Sequence, residues 1–352
     1  MSAVIPVTPV QSSRRPGLDL GQIQFGSVFS DHMLIARYSD GEWRTAAIEP
    51  YRPIPLPASI SALQYGVAVF EGLKAFRSVA GDVALFRPHE NFRRLETSCR
   101  RLVLPEVPKE IFIDGMKQLV GVDRSWVPGS DEGSLYIRPC VFGIDENIRV
   151  RPPSSCLFVM FTCPVGPYYA EPLRLMATTK YVRAFPGGTG DVKPGGNYAA
   201  ALLAEQEAQQ NGYHSTLWLD GREHRYVEEA GVMNIFFVIG GKVVTPNLTG
   251  TILPGVTRDS VIALLRDMGT PLEERPILID EIVEAHRRGQ LQECFGTGTA
   301  ATVAHVSEIG YMNQNLKLPP VDQREIGPAV LEEMNKLRTG RAKDRFGWLV
   351  PV

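Results

Sequence analysis

A single lysine, Lys193, lies in a stretch from residue 186 to residue 198 that contains five glycines. Glycine accepts positive φ angles and lets a backbone approach a ligand closely. A lysine in such a loop can clamp a phosphate or form a Schiff base with an aldehyde. The stretch is not a P-loop, because Val192 and Pro194 flank the lysine where a P-loop has Gly and then Ser or Thr. A solvated lysine in a surface turn is the alternative, so other features must decide.

Two further segments could bind an anion. The first leads into a helix that we predict over Thr257–Met268, with Thr257 as its N-cap. Free N–H groups and the positive end of the helix dipole attract phosphate there. The second, residues 295–301, has the spacing of a dinucleotide fingerprint, but no predicted helix follows it. We interpret it as a turn of small residues that offers N–H groups and threonine hydroxyls. An ordinary capped helix and an ordinary tight turn are the alternatives.

Two carboxylates, Glu228 and Glu229, come just before a strand that we predict over Val232–Ile239. A glutamate at this place usually faces solvent. It can instead hold a protonated heterocyclic nitrogen in a site. Neighbouring residues of a strand point to opposite faces, so only one of the two can have this role.

The elements that must position these residues mix strands and helices without a regular βαβ alternation. This favours an α+β fold or a mixed barrel over a doubly wound sheet. Three prolines between residues 164 and 172 indicate a stiff connection. We therefore expect a smaller N-terminal α/β domain (1–166), a linker (167–177) and a larger C-terminal domain (178–352). The clearest predicted elements are strands Leu135–Phe142, Cys156–Cys163 and Leu173–Thr178, and helices 89–102, 108–124, Asn197–Asn211 and Asp280–Arg288.

The composition is that of an ordinary globular protein. The 352 residues include 37 Lys and Arg and 39 Asp and Glu, which gives a net charge of −2. No basic excess attracts nucleic acid or an anionic membrane, so we expect a small-molecule partner. The five cysteines lack zinc or disulfide spacing, and we expect no metal site and reduced thiols in the cytoplasm. No apolar run approaches the roughly 20 residues of a membrane span.

Six motifs occur in one order along the chain, and their combination is far more specific than any one of them. The motifs are Val69–Ala75, Leu135–Pro139, Lys193–Tyr198, Glu229–Phe236, Leu253–Arg258 and Gly298–Ala300. Through them the chain, from about Asp31 to its C-terminus, resembles the branched-chain amino acid aminotransferases, which are fold-type IV enzymes that use pyridoxal 5′-phosphate (PLP). The resemblance implies two α/β domains and the PLP cofactor.

The resemblance implies a role for each matching residue on the cofactor side. Lys193 corresponds to the lysine that forms the Schiff base with PLP and moves the substrate proton. Tyr198 corresponds to the tyrosine on the phenolic oxygen, and Glu229 to the carboxylate on the pyridine nitrogen, with Glu228 as the alternative by one residue. The residues that match phosphate contacts or lie beside the cofactor are Arg94, Val256, Thr257, Thr299 and Arg183.

On the substrate side, the resemblance implies an aromatic pocket that suits apolar side chains. Arg138 is the candidate for binding the distal carboxylate of glutamate, with tyrosine hydroxyls as an alternative. Ala300 lies in a turn that can bind the substrate α-carboxylate. Core packing remains the alternative role for Tyr136 and Phe70. The pocket positions are Phe70, Tyr65, Tyr136 and Tyr168.

The implied activity is ping-pong amino transfer between L-leucine, L-isoleucine or L-valine and 2-oxoglutarate, in a homodimer whose small domains reach the partner's site. Ala301 and Ala304 replace the cysteine pair of mitochondrial members, so we expect no thiol switch. Val232 replaces a threonine that binds the substrate carboxylate in some members. A D-amino acid aminotransferase or an aminodeoxychorismate lyase of the same fold type is an alternative, and a non-enzymatic phosphate-binding module is another.

Overall fold

The structure, a computed structural model, describes residues 5–166 and 171–352. Contacts between Cα atoms group the chain into two units. The first contains residues 1–168, 193–195 and 336–352, and the second contains residues 169–192 and 196–335. Each unit combines helices with a β-sheet, which confirms the predicted α+β class.

The first unit is built on an antiparallel sheet with strand order β6-β5-β7-β8-β1-β2. Strand β3 adds to β1, and β4 adds to β7. Its elements are strands β1 (His32–Ser39), β2 (Glu42–Trp43), β3 (Ala47–Pro50), β4 (Ala68–Phe70), β5 (Leu73–Arg77), β6 (Val83–Phe86), β7 (Ser134–Gly143) and β8 (Cys156–Val165), and helices α1 (Ser61–Tyr65), α2 (Pro88–Arg101) and α3 (Gly115–Val122), the last preceded by a π-helical turn (Glu110–Asp114) and followed by a 3-10 turn (Arg124–Trp126).

Helix α2 shows how the sequence produces this unit. Pro88 opens the helix, where its missing N–H is no loss and its fixed φ is already helical. Leu95 and Cys99 lie four residues apart on one face and are buried in the core. The helix spans the predicted range to within one residue, and its buried face also carries Asn91 and Arg94.

The second unit is built on a mixed sheet that closes on itself, because β11 pairs with both β10 and β12. The closed order is β11-β10-β9-β16-β15-β12, and β9 is parallel to both of its neighbours. Its elements are strands β9 (Leu173–Thr178), β10 (Ser215–Leu219), β11 (Val227–Ala230), β12 (Met233–Ile239), β13 (Lys242–Thr245), β14 (Leu272–Glu274), β15 (Leu291–Gly298), β16 (Thr302–Tyr311) and β17 (Gln314–Lys317), and helices α4 (Gly195–Ala199), α5 (Leu202–Gln210), α6 (Val256–Asp267), α7 (Ile279–Arg287) and α8 (Ile326–Arg338).

Two local predictions for this unit are wrong. The single helix expected over Asn197–Asn211 is two helices, α4 and α5, with a break before Leu202. Thr257 is the second residue of α6 and not its N-cap, because Gly255 caps the helix without a side-chain hydrogen bond. The rejection of the dinucleotide fingerprint is confirmed, since β15 turns directly into the antiparallel strand β16.

The contact grouping differs from the expected domain limits at both ends of the second unit. Residues 173–177 of the expected linker lie in β9 of the closed sheet. The chain end forms a last strand, β18 (Leu349–Pro351), which pairs with β6 in the first unit. Trp348 packs edge-on against Phe86 at 5.7 Å between ring centroids, which covers this strand pair. Pairing between strands so distant in sequence leaves no local pattern.

The five cysteines form no disulfide, and all except the half-buried Cys140 are buried. Across residues 5–166 and 171–352, we find no helix whose length and hydropathy would let it cross a membrane.

Candidate active site

The backbone around Lys193 is tied to the first unit on two sides. The N–H of Phe70 donates to the carbonyl of Lys193 at 3.1 Å, and Val69 forms an isolated antiparallel bridge with Pro194. The N–H of Lys193 donates to Oγ of Ser98 on α2 at 3.1 Å. The lysine Nζ lies 4.9 Å from the ring centroid of Phe70. Lys193 is therefore held by several contacts, which argues against the alternative of a solvated lysine in a free turn.

A buried ion pair lies beside this anchor. Glu71 is fully buried and accepts hydrogen bonds from Nε of Arg94 at 2.7 Å and from Nη2 of Arg94 at 2.8 Å. Asn91 donates a third hydrogen bond to Glu71 at 2.8 Å. Burial alone raises the pKa of Glu71, but Arg94, followed by Lys193 and Asn91, lowers it below its usual value. Glu71 consequently lies among two basic side chains, those of Arg94 and Lys193.

Arg138 is sandwiched between two aromatic rings that the sequence also assigns to the site. Its guanidinium carbon lies 4.6 Å from the ring centroid of Phe70 and 5.2 Å from that of Tyr136. Nη2 of Arg138 donates to the hydroxyl of Tyr136 at 2.9 Å. A Cβ on Gly72 would lie 2.1 Å from that hydroxyl, so only glycine leaves room for the ring there. Six residues thus form what we call the lysine cluster: Lys193, Phe70, Glu71, Arg94, Tyr136 and Arg138.

Tyr65 occupies a different environment. It ends α1, is 45% exposed, and its hydroxyl donates to the carbonyl of Ile148. Among the described residues, no hydrogen bond or ring contact joins Tyr65 to the lysine cluster. Tyr168 lies outside the described residues.

In the second unit, Glu229 is buried where two strands and a loop meet. It is opposite Asn234 in the β11–β12 pair and accepts a hydrogen bond from the N–H of Leu253 at 2.6 Å. Asn234 donates to the carbonyl of the same Leu253 at 2.9 Å. A Cβ on Gly255 would lie 2.0 Å from Oδ1 of Asn234, so glycine is required for this docking. These contacts fix the start of α6 beside Glu229.

Arg183 completes this group, which we call the carboxylate cluster: Arg183, Glu229, Asn234, Leu253 and Gly255. Nη2 of Arg183 lies 3.2 Å from Oε1 of Glu229 and donates to the carbonyls of Gly190 and Thr251. The side chain of Arg183, which is 9% exposed, thus contacts both the glycine-rich loop and the carboxylate.

Glu228 faces away from Glu229, as strand alternation requires. Its Oε1 accepts a hydrogen bond from the hydroxyl of Thr251, and within the described chain its Oε2 has no hydrogen-bond partner. Burial raises the pKa of Glu228, although Thr251 and Arg183 act in the opposite direction. Glu228 also lines a cavity of about 410 Å³ that does not include Glu229. The two carboxylates therefore lie in different environments.

Of the predicted phosphate-binding residues, Arg94 lies on α2 in the first unit, and the other three lie at the ends of elements in the second unit. Val256 and the buried Thr257 are the first two residues of α6, where the positive end of the helix dipole lies. Thr299 and Ala300 form the turn between β15 and β16. Tyr198 lies in α4, two residues after Gly196, and is half-buried.

Four residues that position Arg94, Glu229 and the start of α6 were not predicted from the sequence: Glu71, Asn91, Asn234 and Gly255. Glu71 and Asn234 were visible as polar residues inside apolar segments, which is a signal for a buried partner. Their actual partners are 19 to 23 residues away along the chain, so no local pattern identifies them.

The second unit combines a closed mixed sheet with a buried carboxylate, Glu229, beside the start of α6, and the first unit holds an anchored lysine, Lys193. Residues 68–309 match the model of the family described as amino-transferase class IV, and the chain belongs to that family. Branched-chain-amino-acid aminotransferase 2 of Bacillus subtilis is 41% identical over 345 residues, which cover 97% of this chain and 95% of the relative. Within class IV the chain belongs to the branched-chain amino acid aminotransferases, and its cofactor is PLP.

Two solved structures agree with this assignment. The branched-chain amino acid aminotransferase of Escherichia coli superposes with a TM-score of 0.74 at 25% identity, covering 91% of this chain and 98% of that one. A second branched-chain amino acid aminotransferase, from T.th. and complexed with N-(5′-phosphopyridoxyl)-L-glutamate, gives a TM-score of 0.71 at 27% identity, covering 90% of this chain and 97% of that one.

The donor set of the second unit fits PLP. Glu229 is an anion-forming group of the kind that binds a protonated pyridine nitrogen, and Arg183 and Leu253 hold it in place. The start of α6, a helix of 12 residues, supplies N–H groups and the positive dipole end for a phosphate. Thr257 and Thr299 add hydroxyls that can donate to phosphate oxygens.

Proposed function

We propose that this enzyme transfers amino groups between L-leucine, L-isoleucine or L-valine and 2-oxoglutarate, with Lys193 as its catalytic residue. The observation that carries the proposal is the anchoring of Lys193: two hydrogen bonds, one with Phe70 and one with Ser98, hold its backbone, and its neighbour Pro194 bridges to Val69. The amine of Lys193 must reach the same reacting carbon in every catalytic cycle. An anchored backbone keeps the amine in position for this.

On the cofactor side we assign a role to each predicted residue. When bound, PLP withdraws electrons from the substrate Cα and carries the amino group between the two half-reactions. Lys193 holds the cofactor covalently and later moves the proton at Cα. Glu229 keeps the pyridine nitrogen protonated, with Arg183 beside it, and Tyr198 donates to the phenolic oxygen. The residues that bind the phosphate are Arg94, Val256, Thr257 and Thr299.

On the substrate side, the aromatic walls and one cation must serve two kinds of side chain. Phe70 and Tyr136, together with Tyr168, accept the apolar side chains of branched-chain amino acids, whereas Tyr65 lies apart from the lysine cluster. Arg138 binds the distal carboxylate of glutamate, which its position between two rings supports. Backbone groups at Ala300 bind the α-carboxylate, in keeping with Val232 in place of a hydroxyl-bearing residue.

The test measures steady-state rates for a panel of amino acids with 2-oxoglutarate, and the absorbance of the cofactor when L-leucine is added. We expect L-leucine, L-isoleucine and L-valine to be substrates and to bleach the band at about 410–430 nm that marks a PLP–lysine link. Borohydride reduction should fix PLP on the Lys193 peptide, as read by mass spectrometry.

The Lys193→Ala variant should lose both the reducible link and the activity, since its amine is the attachment point. Lys242→Ala is the matched control, because Lys242 is a half-exposed lysine paired with Glu273 on the surface. Activity on D-alanine above that on L-leucine would instead favour the D-amino acid aminotransferases. A colourless ligand that borohydride leaves unattached would favour a phosphate-binding module.

We also propose that the enzyme is a homodimer in the cytoplasm. Leu63, Ile148 and Val150 in the first unit are 68%, 69% and 84% exposed, and we propose that a second copy covers them. The unpaired cysteines are consistent with a reducing compartment. Light scattering on the purified protein should give twice the chain mass of 38.9 kDa, and a monomer mass would contradict the dimer.

A further inference from the structure

Glu71 has no assigned role, although its ion-pair partner Arg94 does. Glu71 is fully buried, and Arg94 is 9% exposed. The two side chains meet in a two-pronged arrangement, with Nε on Oε1 at 2.7 Å and Nη2 on Oε2 at 2.8 Å. Such a fork fixes both the position and the plane of a guanidinium.

Glu71 is itself held rigidly, so it can act as a fixed support. Its N–H donates to the carbonyl of Pro139 on β7 at 2.8 Å, which ties its backbone to the sheet. The N–H of Gly72 donates to Oε2 at 3.1 Å, and Nδ2 of Asn91 donates to the same oxygen at 2.8 Å. Asn91 and Arg94 are three residues apart on α2 and therefore lie on one helix face. One carboxylate thus connects the sheet to the side of α2 that carries Arg94.

Stability alone is a poor reason for such a pair. Removing two charges from water costs free energy that their attraction often fails to recover, so a buried ion pair is weak evidence for a stabilising role. The pair also has no net charge, which lessens its long-range attraction for an anion. The two hydrogen bonds instead limit the guanidinium of Arg94 to one orientation.

We propose that Glu71 is a positioning residue of the cofactor site, which holds the guanidinium of Arg94 in the orientation that binds the phosphate of PLP. The inference rests on the proposed role of Arg94. It predicts that Glu71 matters for ligands that carry the phosphate and not for the ring of the cofactor.

The test compares PLP with pyridoxal, which lacks the phosphate, on full-length protein freed of its cofactor. For Glu71→Gln we expect the dissociation constant of PLP to rise at least tenfold, because one prong of the fork is lost. The dissociation constant of pyridoxal should stay within about twofold of the wild type. A merely structural role would weaken both ligands alike or neither.

Glu293→Gln is the matched control. Glu293 is also buried and accepts hydrogen bonds from the N–H groups of Glu325, Ile326 and Gly327 in the second unit. Replacing it removes a buried carboxylate of comparable connectivity without touching Arg94. We expect its ratio of PLP to pyridoxal affinity to match that of the wild type.

A milder variant covers the case in which Glu71→Gln does not fold. Asn91→Ala keeps both charges and removes one hydrogen bond to the carboxylate, and it should weaken PLP binding severalfold while sparing pyridoxal. Equal effects on the two ligands in the folded variants, or none, would overturn the inference. Failure of the wild type itself to bind PLP would overturn the proposed function instead, so the two outcomes are distinguishable.

Discussion

The hydroxyl of Tyr136 offers the sharpest test of how one pocket accepts both leucine and glutamate. It accepts a hydrogen bond from Nη2 of Arg138 at 2.9 Å, while the ring lies under the guanidinium at 5.2 Å. Among the described residues, Nε of Arg138 has no hydrogen-bond partner. The Tyr136→Phe change therefore removes an anchor of the guanidinium and leaves the aromatic wall in place.

The magnitude follows from the kind of bond that is lost. A hydrogen bond to a charged group contributes about 1.5–3 kcal/mol, and each 1.4 kcal/mol is a factor of ten in an equilibrium or rate ratio. If Arg138 binds the distal carboxylate of glutamate, kcat/KM for glutamate should fall by about 10-fold to 150-fold. Leucine has no such carboxylate, so its kcat/KM should change by less than about threefold. Burial raises the pKa of Tyr136 to about 12, so the lost group is a neutral phenol throughout the assay range.

The assay measures kcat/KM for L-glutamate and L-leucine separately. Tyr213→Phe is the matched control, because the hydroxyl of Tyr213 donates to Oδ1 of Asn315 at 3.0 Å in the second unit. Tyr213 also lies over a glycine, Gly310, whose added Cβ would be 2.1 Å from the hydroxyl. Equal losses for glutamate and leucine in Tyr136→Phe, or an unchanged value for glutamate, would refute this account of substrate choice.

Three further changes test other parts of the structure. Gly72→Ala places a Cβ 2.1 Å from the hydroxyl of Tyr136, and we expect it to lower the free energy of unfolding by about 1–3 kcal/mol in denaturant titrations. Glu229→Gln should reduce kcat by about tenfold or more because the charge of the carboxylate is lost. Glu228→Gln, on the other face of the strand, should leave kcat within about twofold of the wild type. A larger loss in Glu228→Gln would exchange the roles of the two residues. Burial lowers the pKa of Lys74 to about 7, so between pH 7 and pH 10 the unfolded chain binds a proton at this lysine that the folded chain releases. The unfolding free energy of the wild type relative to Lys74→Met should therefore rise with pH across that window, and a flat difference would contradict the shift.

Elements with strong hydrophobic patterns could be predicted from sequence. Strands β7 and β8 and helices α2 and α6 lie within two residues of their predicted limits. Strand β16 was not predicted, although it lies between β9 and β15 in the closed sheet. Its polar residues, among them His305 and Glu308, obscure the apolar pattern. The break between α4 and α5 was not predicted because alanine and glutamine favour a continuous helix.

The candidate site divides in the same way. The sequence by itself determined the reactive groups and the family, because six short motifs retain their order and their residue types. Only the tertiary structure decided what holds those groups. Glu71 accepts hydrogen bonds from Arg94, and Asn234 donates to Leu253, which in turn donates to Glu229. The physical reason is that a hydrogen bond depends on distance and angle between atoms, and these partners are 19 to 24 residues apart in the chain. Strand register and helix packing bring them together, and both arise from the burial of the whole core.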